Sequence, residues 1–113
     1  MHVEQVGNIA VVRVVGEIDL ANASRVGTSL AAAAAPESGL VVDLTGVTYI
    51  DSAGIGELFA LAAQIRSAGG LAVVIPDGSP LHKLFKITAF DEAAPVCPTQ
   101  DDAISILGPD TQT

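Results

Sequence analysis

The chain has 113 residues, half of them hydrophobic, which suits one compact domain with a buried core and leaves little room for a second. Five Lys and Arg stand against thirteen Asp and Glu, a formal charge of −8. That balance argues against nucleic acid as the main partner and against a polybasic membrane anchor, since both need clustered cations.

Two short strands open the chain. Residues 3–6 and 9–15 flank Gly7-Asn8, a pair suited to a tight hairpin turn with positive φ. In the second strand both alternating sets of side chains are apolar except at Arg13, so burial is expected on both faces away from that residue. Residues 16–19 then turn the chain into a first helix, with Asp19 the expected N-cap, because its carboxylate can accept from an orphan amide. Ala23, Val26, Leu30 and Ala33 follow at helical spacing, and Pro36 with Gly39 closes the helix.

Residues 40–44 read as a central buried strand, and residues 45–50 as a loop leading to Asp51-Ser52-Ala53-Gly54-Ile55-Gly56. A second helix continues with Ile55, Leu58, Phe59, Ala62 and Ile65 on one face and Gly69-Gly70 as its stop. Residues 71–75 form another apolar strand closed by Pro76, and Leu81, Leu84 and Phe85 mark a short third helix. Prolines flanking residues 94–97 confine that strand to an edge. A last helix begins at residues 99–102 and carries Ala103, Ile104 and Leu107, and residues 109–113 form a polar, frayed tail on a domain of residues 1–108. The order β-β-α-β-α-β-α-β-α predicts an α/β fold. Its mixed, mostly parallel sheet has about five strands, an N-terminal antiparallel hairpin and about four helices.

The single Cys97 cannot form an internal disulfide and sits in an apolar stretch without an adjacent cation, which reads as a core position. Residues 1–5 lack the pattern of a signal peptide, and no apolar run approaches the roughly 20 residues that span a bilayer, so a cytoplasmic protein is expected.

The segment from Asp51 to Gly56 lies where a strand gives way to a helix, a junction that collects functional groups in α/β sheets. Gly54 and Gly56 are unfavourable in a first helical turn, so they serve either close approach from outside or tight packing within. Ser52 has three readings. It can be an N-cap, worth roughly 1 kcal/mol. It can be a nucleophile, but Ile50 replaces the first glycine of a G-x-S-x-G elbow, and only His2 and His82 could serve as base. It can be a phosphoacceptor, since a helix start offers free amides and a favourable dipole to a phosphate. Catalysis is the weakest of these, and an enzyme is not expected.

At these residues the sequence resembles the STAS domain family, and specifically the freestanding anti-sigma factor antagonists of bacteria. The matching pieces are Gly16-Glu17-Ile18-Asp19, Val42-Asp43-Leu44, Tyr49-Ile50-Asp51-Ser52-Ala53-Gly54-Ile55-Gly56, and Pro80-Leu81-His82-Lys83-Leu84-Phe85-Lys86-Ile87-Thr88. They cover nearly the whole chain in the expected order. The resemblance implies partner switching: the unmodified antagonist binds an anti-sigma factor serine kinase, frees a sigma factor, is switched off by phosphorylation of Ser52, and is restored by a serine phosphatase. It also implies a partner-binding set of Asp19, Asp51, Ser52, Ala53, Gly54 and Gly56, and roles in transcription regulation and stress response. Ala53 stands where many relatives have Ser or Thr, which leaves Ser52 the only hydroxyl of the segment.

Other residues read plainly. His82, Lys83 and Lys86 suggest a solvated helix face. No His, Cys or carboxylate spacing suggests a metal, no P-loop is present, and no cofactor is expected. A monomer is expected. The competing function is a constitutive STAS-type scaffold, for example beside a membrane transporter, with Ser52 unmodified.

Overall fold

A computed structural model describes residues 1–34 and 39–108. Strands β1 (His2–Val6) and β2 (Ile9–Ile18) form the expected antiparallel hairpin, turned at Gly7 with φ +60°. Helix α1 (Ala23–Ala33) leads to β3 (Leu40–Ile50), then α2 (Ser52–Ile65), β4 (Leu71–Val74), α3 (Leu81–Ile87), β5 (Val96–Cys97) and α4 (Gln100–Leu107). One sheet runs β1-β2-β3-β4-β5, antiparallel at β1–β2 and parallel elsewhere. This is the predicted architecture. Pro36 and the expected tail at residues 109–113 lie outside the described residues.

The two faces of the sheet are filled by alternate residues of the same strands. Ala10, Val12, Val42 and Val73 point into a core closed by α1, α2 and α3, whose centre holds Leu30, Leu58, Phe85 and Phe90. Ile9, Val11, Val41 and Val74 point the other way and are covered by Ala103, Ile104 and Leu107 of α4. That is why the strands read as unbroken apolar runs: period-2 alternation vanishes when both faces are buried. Phe90 meets Phe59 and Phe85 edge to face, at centroid distances of 4.9 and 5.2 Å.

Two expectations are corrected. Residues 45–50 are not a loop: β3 runs to Ile50 and β2 to Ile18, paired through Val15↔Gly46, Gly16↔Val47, Glu17↔Tyr49 and Ile18↔Ile50. Register shifts after Arg13 and Gly16, the latter with φ +92°, keep the two strands together although the hydrophobic pattern changes there. Past Arg13 the sheet loses its cover on the α4 face, where Val15 is 73% exposed, while Val14, Ile18, Val47 and Ile50 stay buried on the other. His82 is half-buried, and its Nε2 lies 3.1 Å from the Pro76 carbonyl oxygen, so it is fixed to the preceding loop and not merely solvated.

Cys97 is buried, as expected, and burial pushes its thiol pKa up, with the nearby Asp102 carboxylate adding to the effect. Asp43 is the one buried charged residue among those described. Its Oδ1 accepts from the amide and hydroxyl of Thr45, and its Oδ2 accepts from Gln100 Nε2 at 2.7 Å, which ties β3 to the start of α4. A carboxylate is tolerated there because both oxygens are satisfied.

Candidate functional site

The extension of β2 and β3 carries the chain to a shared end, where two turns lie side by side. After Ile18 the chain makes a compact turn at residues 19–22. The Asp19 carbonyl accepts from the amides of Asn22 and Ala23, and Asp19 Oδ1 accepts from the Ala21 amide at 3.0 Å. Asn22 Oδ1 accepts from the Asp19 amide, and its Nδ2 donates to the Glu17 carbonyl at 2.8 Å. Asp19 is therefore not the N-cap of α1, which starts after Asn22. Its carboxylate is used one turn earlier because the two residues after it fold back onto it as an Asx turn.

After Ile50 the chain enters α2. The N-cap is Asp51 and not Ser52: Asp51 Oδ1 accepts from the amides of Ala53 (3.0 Å) and Gly54 (3.1 Å). Of two capping residue types in sequence, the carboxylate wins because it is charged and its extended backbone lets it reach the second and third helical amides. Ser52 takes the first helical position and is exposed. The amides of Ala53 and Gly54 are consequently occupied, which corrects the expectation that a phosphate on Ser52 would find them free.

Asp51 also joins the two turns. Its Oδ2 accepts from the Leu20 amide at 3.1 Å, and its own amide donates to the Ile18 carbonyl at 3.1 Å. The two glycines divide between the two roles open to them. A Cβ on Gly54 would lie 2.7 Å from Ile50 Cγ1 and 2.8 Å from Ile18 Cγ2, so Gly54 is buried packing between helix and strands. A Cβ on Gly56 would meet nothing within 4 Å, so Gly56 leaves the surface low and accessible.

The assembled surface thus presents the Ser52 hydroxyl, half-buried Ala53, exposed Gly56 and the turn from Asp19, whose Leu20 is 80% exposed. Leu20 was not singled out in the sequence, where a lone leucine between Asp19 and Ala21 carries no signal of exposure. Only its position in the turn exposes it. Glu57, one turn along α2, lays its carboxylate over Gly27 of α1, at the spot that a Cβ there would occupy. Among the described residues no group of three or more His, Cys, Asp and Glu could hold a metal ion, and no helix is long and apolar enough to cross a membrane.

The STAS domain profile matches residues 1–103. The chain belongs to the STAS domain family. Within it, an anti-sigma factor antagonist from Mycobacterium paratuberculosis is similar at 30% identity, with a TM-score of 0.82 over 94% of this chain and 91% of that one. The phosphorylated form of the Bacillus cell fate determinant SpoIIAA shares the STAS fold at 19% identity, with a TM-score of 0.63 over 94% of this chain and 97% of that one. The murine Solute Carrier 26 family member A9 anion transporter contains the same fold at 18% identity and a TM-score of 0.76, over 92% of this chain and 18% of the transporter.

Proposed function

We propose that this STAS protein is a cytoplasmic, monomeric anti-sigma factor antagonist, a binding module and not an enzyme. In this reading it binds an anti-sigma serine kinase through Ser52, Ala53, Gly56 and the Asp19 turn, with Asp51 and Gly54 holding those elements in place. The kinase transfers a phosphoryl group from ATP to Ser52 Oγ, the complex comes apart, and a serine phosphatase reverses the step. The observation that carries the proposal is the exchange of roles between neighbours: Asp51 caps α2, so the exposed Ser52 hydroxyl is not needed for the fold.

The physical consequence of modification is local. A phosphate adds about −1.5 to −2 charge. Two of the first-turn amides that could neutralise it, those of Ala53 and Gly54, already serve Asp51, and the adjoining turn contributes another carboxylate, Asp19. The helix and its cap need not change. The new charge and bulk instead fall on the partner's side of the surface, where a docked carboxylate or apolar side chain would be repelled.

A constitutive accessory subunit is the second reading, and the match to a STAS region inside an anion transporter favours it. Intact mass and binding to a candidate anti-sigma kinase, for wild type, Ser52→Ala and Ser52→Glu, separate the two. One ATP-dependent phosphate on wild type, none on Ser52→Ala, and lost binding for the phosphorylated and Glu forms are expected. Equal binding by all three without phosphate transfer leaves the accessory subunit.

A further inference from the structure

Beyond Asp43 the central strands part. β4 pairs with β3 from Leu40↔Leu71 to Asp43↔Val74 and stops, while β3 continues to Ile50 against β2 alone. Among the described residues no strand borders the other side of β3 over this stretch, an edge of roughly 20 Å at about 3.3 Å per residue. The Ile18↔Ile50 pairing, with the Asp51 amide bonded to the Ile18 carbonyl, turns the N–H and C=O of Ile50 away from β2 and toward that open side.

Helix α3 stands across from the edge. Between them lies a groove of about 300 Å³, with Thr48, Tyr49 and Ile50 on the strand wall and Lys83, Leu84 and Ile87 on the helix wall. Ile87 is 71% exposed and Tyr49 50%, large apolar surface at the mouth of an apolar trough. The chain has only five basic side chains, and two of them, Lys83 and Lys86, belong to α3.

We infer that this groove takes an extended segment of the partner protein, which adds as a strand to the free edge of β3. The added segment sets an apolar side chain between Tyr49 and Ile87 and offers a carboxylate to Lys83. This deepens the binding-module reading and rests on it. An extended backbone is favoured over a helix because an open strand edge supplies main-chain donors and acceptors that only another strand can match along its length. The groove is continuous with the candidate site, since Ile50 lines it and Asp51 and Ser52 follow directly. A partner docked at Ser52 therefore has chain within reach of the edge, and a phosphate on Ser52 would stand at the end of the added strand.

The test is selection of a phage-displayed random octapeptide library on the full chain, with Ile87→Asp as the counter-target. The selected peptides are then resynthesised and titrated into ¹⁵N-labelled protein. Apolar residues at alternate positions with an acidic neighbour are expected, with shifts concentrated at Thr48, Tyr49, Ile50 and α3. N-methylation of alternate peptide amides should weaken binding by about tenfold or more, and Lys83→Glu should abolish the acidic preference. Binding that ignores N-methylation or Ile87→Asp, or shifts elsewhere on the protein, overturns the inference. Concentration-dependent shifts of the same residues without peptide would assign the edge to a second copy and overturn it as well. No kinase or ATP enters this assay, so its failure and failure of the phosphorylation test are separate results.

Discussion

Asp51 Oδ2 accepts a hydrogen bond from the Leu20 amide, 31 residues away in sequence, at 3.1 Å, while its other oxygen caps α2. One carboxylate therefore fixes the mutual position of two turns that together make the candidate surface. Asn has a single acceptor oxygen and can serve the helix or Leu20, but not both. The expected order of stability is wild type, then Asp51→Asn, then Asp51→Ala, with the last lower by about 1–2 kcal/mol in urea unfolding. Amide exchange at Leu20 should accelerate in both variants. Unchanged exchange there would show that the bridge contributes nothing in solution.

Gly54 and Gly56 should respond in opposite directions to the same methyl group. At Gly54 the new carbon would press on Ile50 and Ile18, including the Ile18 carbonyl oxygen at 3.2 Å, and a cost of about 1–3 kcal/mol is expected. At Gly56 the space is open and the backbone helical, so Gly56→Ala should stabilise by roughly 0.5–1 kcal/mol. Thermal melts of the two variants decide it, and a shared sign would refute the division of roles.

The Oδ2 of the buried Asp43 accepts from Gln100 Nε2 of α4 at 2.7 Å. Gln100→Ala should cost about 1–3 kcal/mol, because a buried acceptor loses its donor. A double-mutant cycle with Asp43→Ala should return a coupling of roughly 0.5–3 kcal/mol, as for residues in direct contact. Strict additivity would mean that α4 is held by Ala103, Ile104 and Leu107 alone.

Cys97 packs with Val41, Val74 and Ala103 in the core beneath α4 and couples its stability to pH. Burial raises its folded pKa above the ordinary thiol value of 9.0, so the folded state holds the proton more tightly than the unfolded chain. The stabilisation is fully present below that ordinary value and is lost as pH rises from there through the folded pKa. Wild type should lose stability faster than Cys97→Ala above about pH 9, as read in urea titrations. Alkylation of the native protein at pH 8 should be at least about tenfold slower than in urea. Parallel pH profiles for the two proteins would contradict this.

The sequence by itself determined the element order, the two-sided burial of the strands and the junction at Asp51 to Gly56. Each rests on local signals: apolar runs of strand length, helical spacing, and Gly or Pro at the boundaries. Ser52 was legible as a candidate for the same reason. What tertiary structure decided is which of two adjacent capping residues caps, where β3 ends, and which glycine packs. Asp51 and Ser52 are both good caps in isolation, and the choice follows from an extended backbone at Asp51 and a second donor supplied by Leu20. Residues 45–50 mix polar, glycine and apolar positions that read as loop, yet pairing with β2 makes them strand, because main-chain hydrogen bonds to a neighbour do not depend on the side-chain pattern. The free edge of β3 was invisible for a related reason: it exists only because β4 stops at Val74, a relation between two strands that neither segment encodes alone.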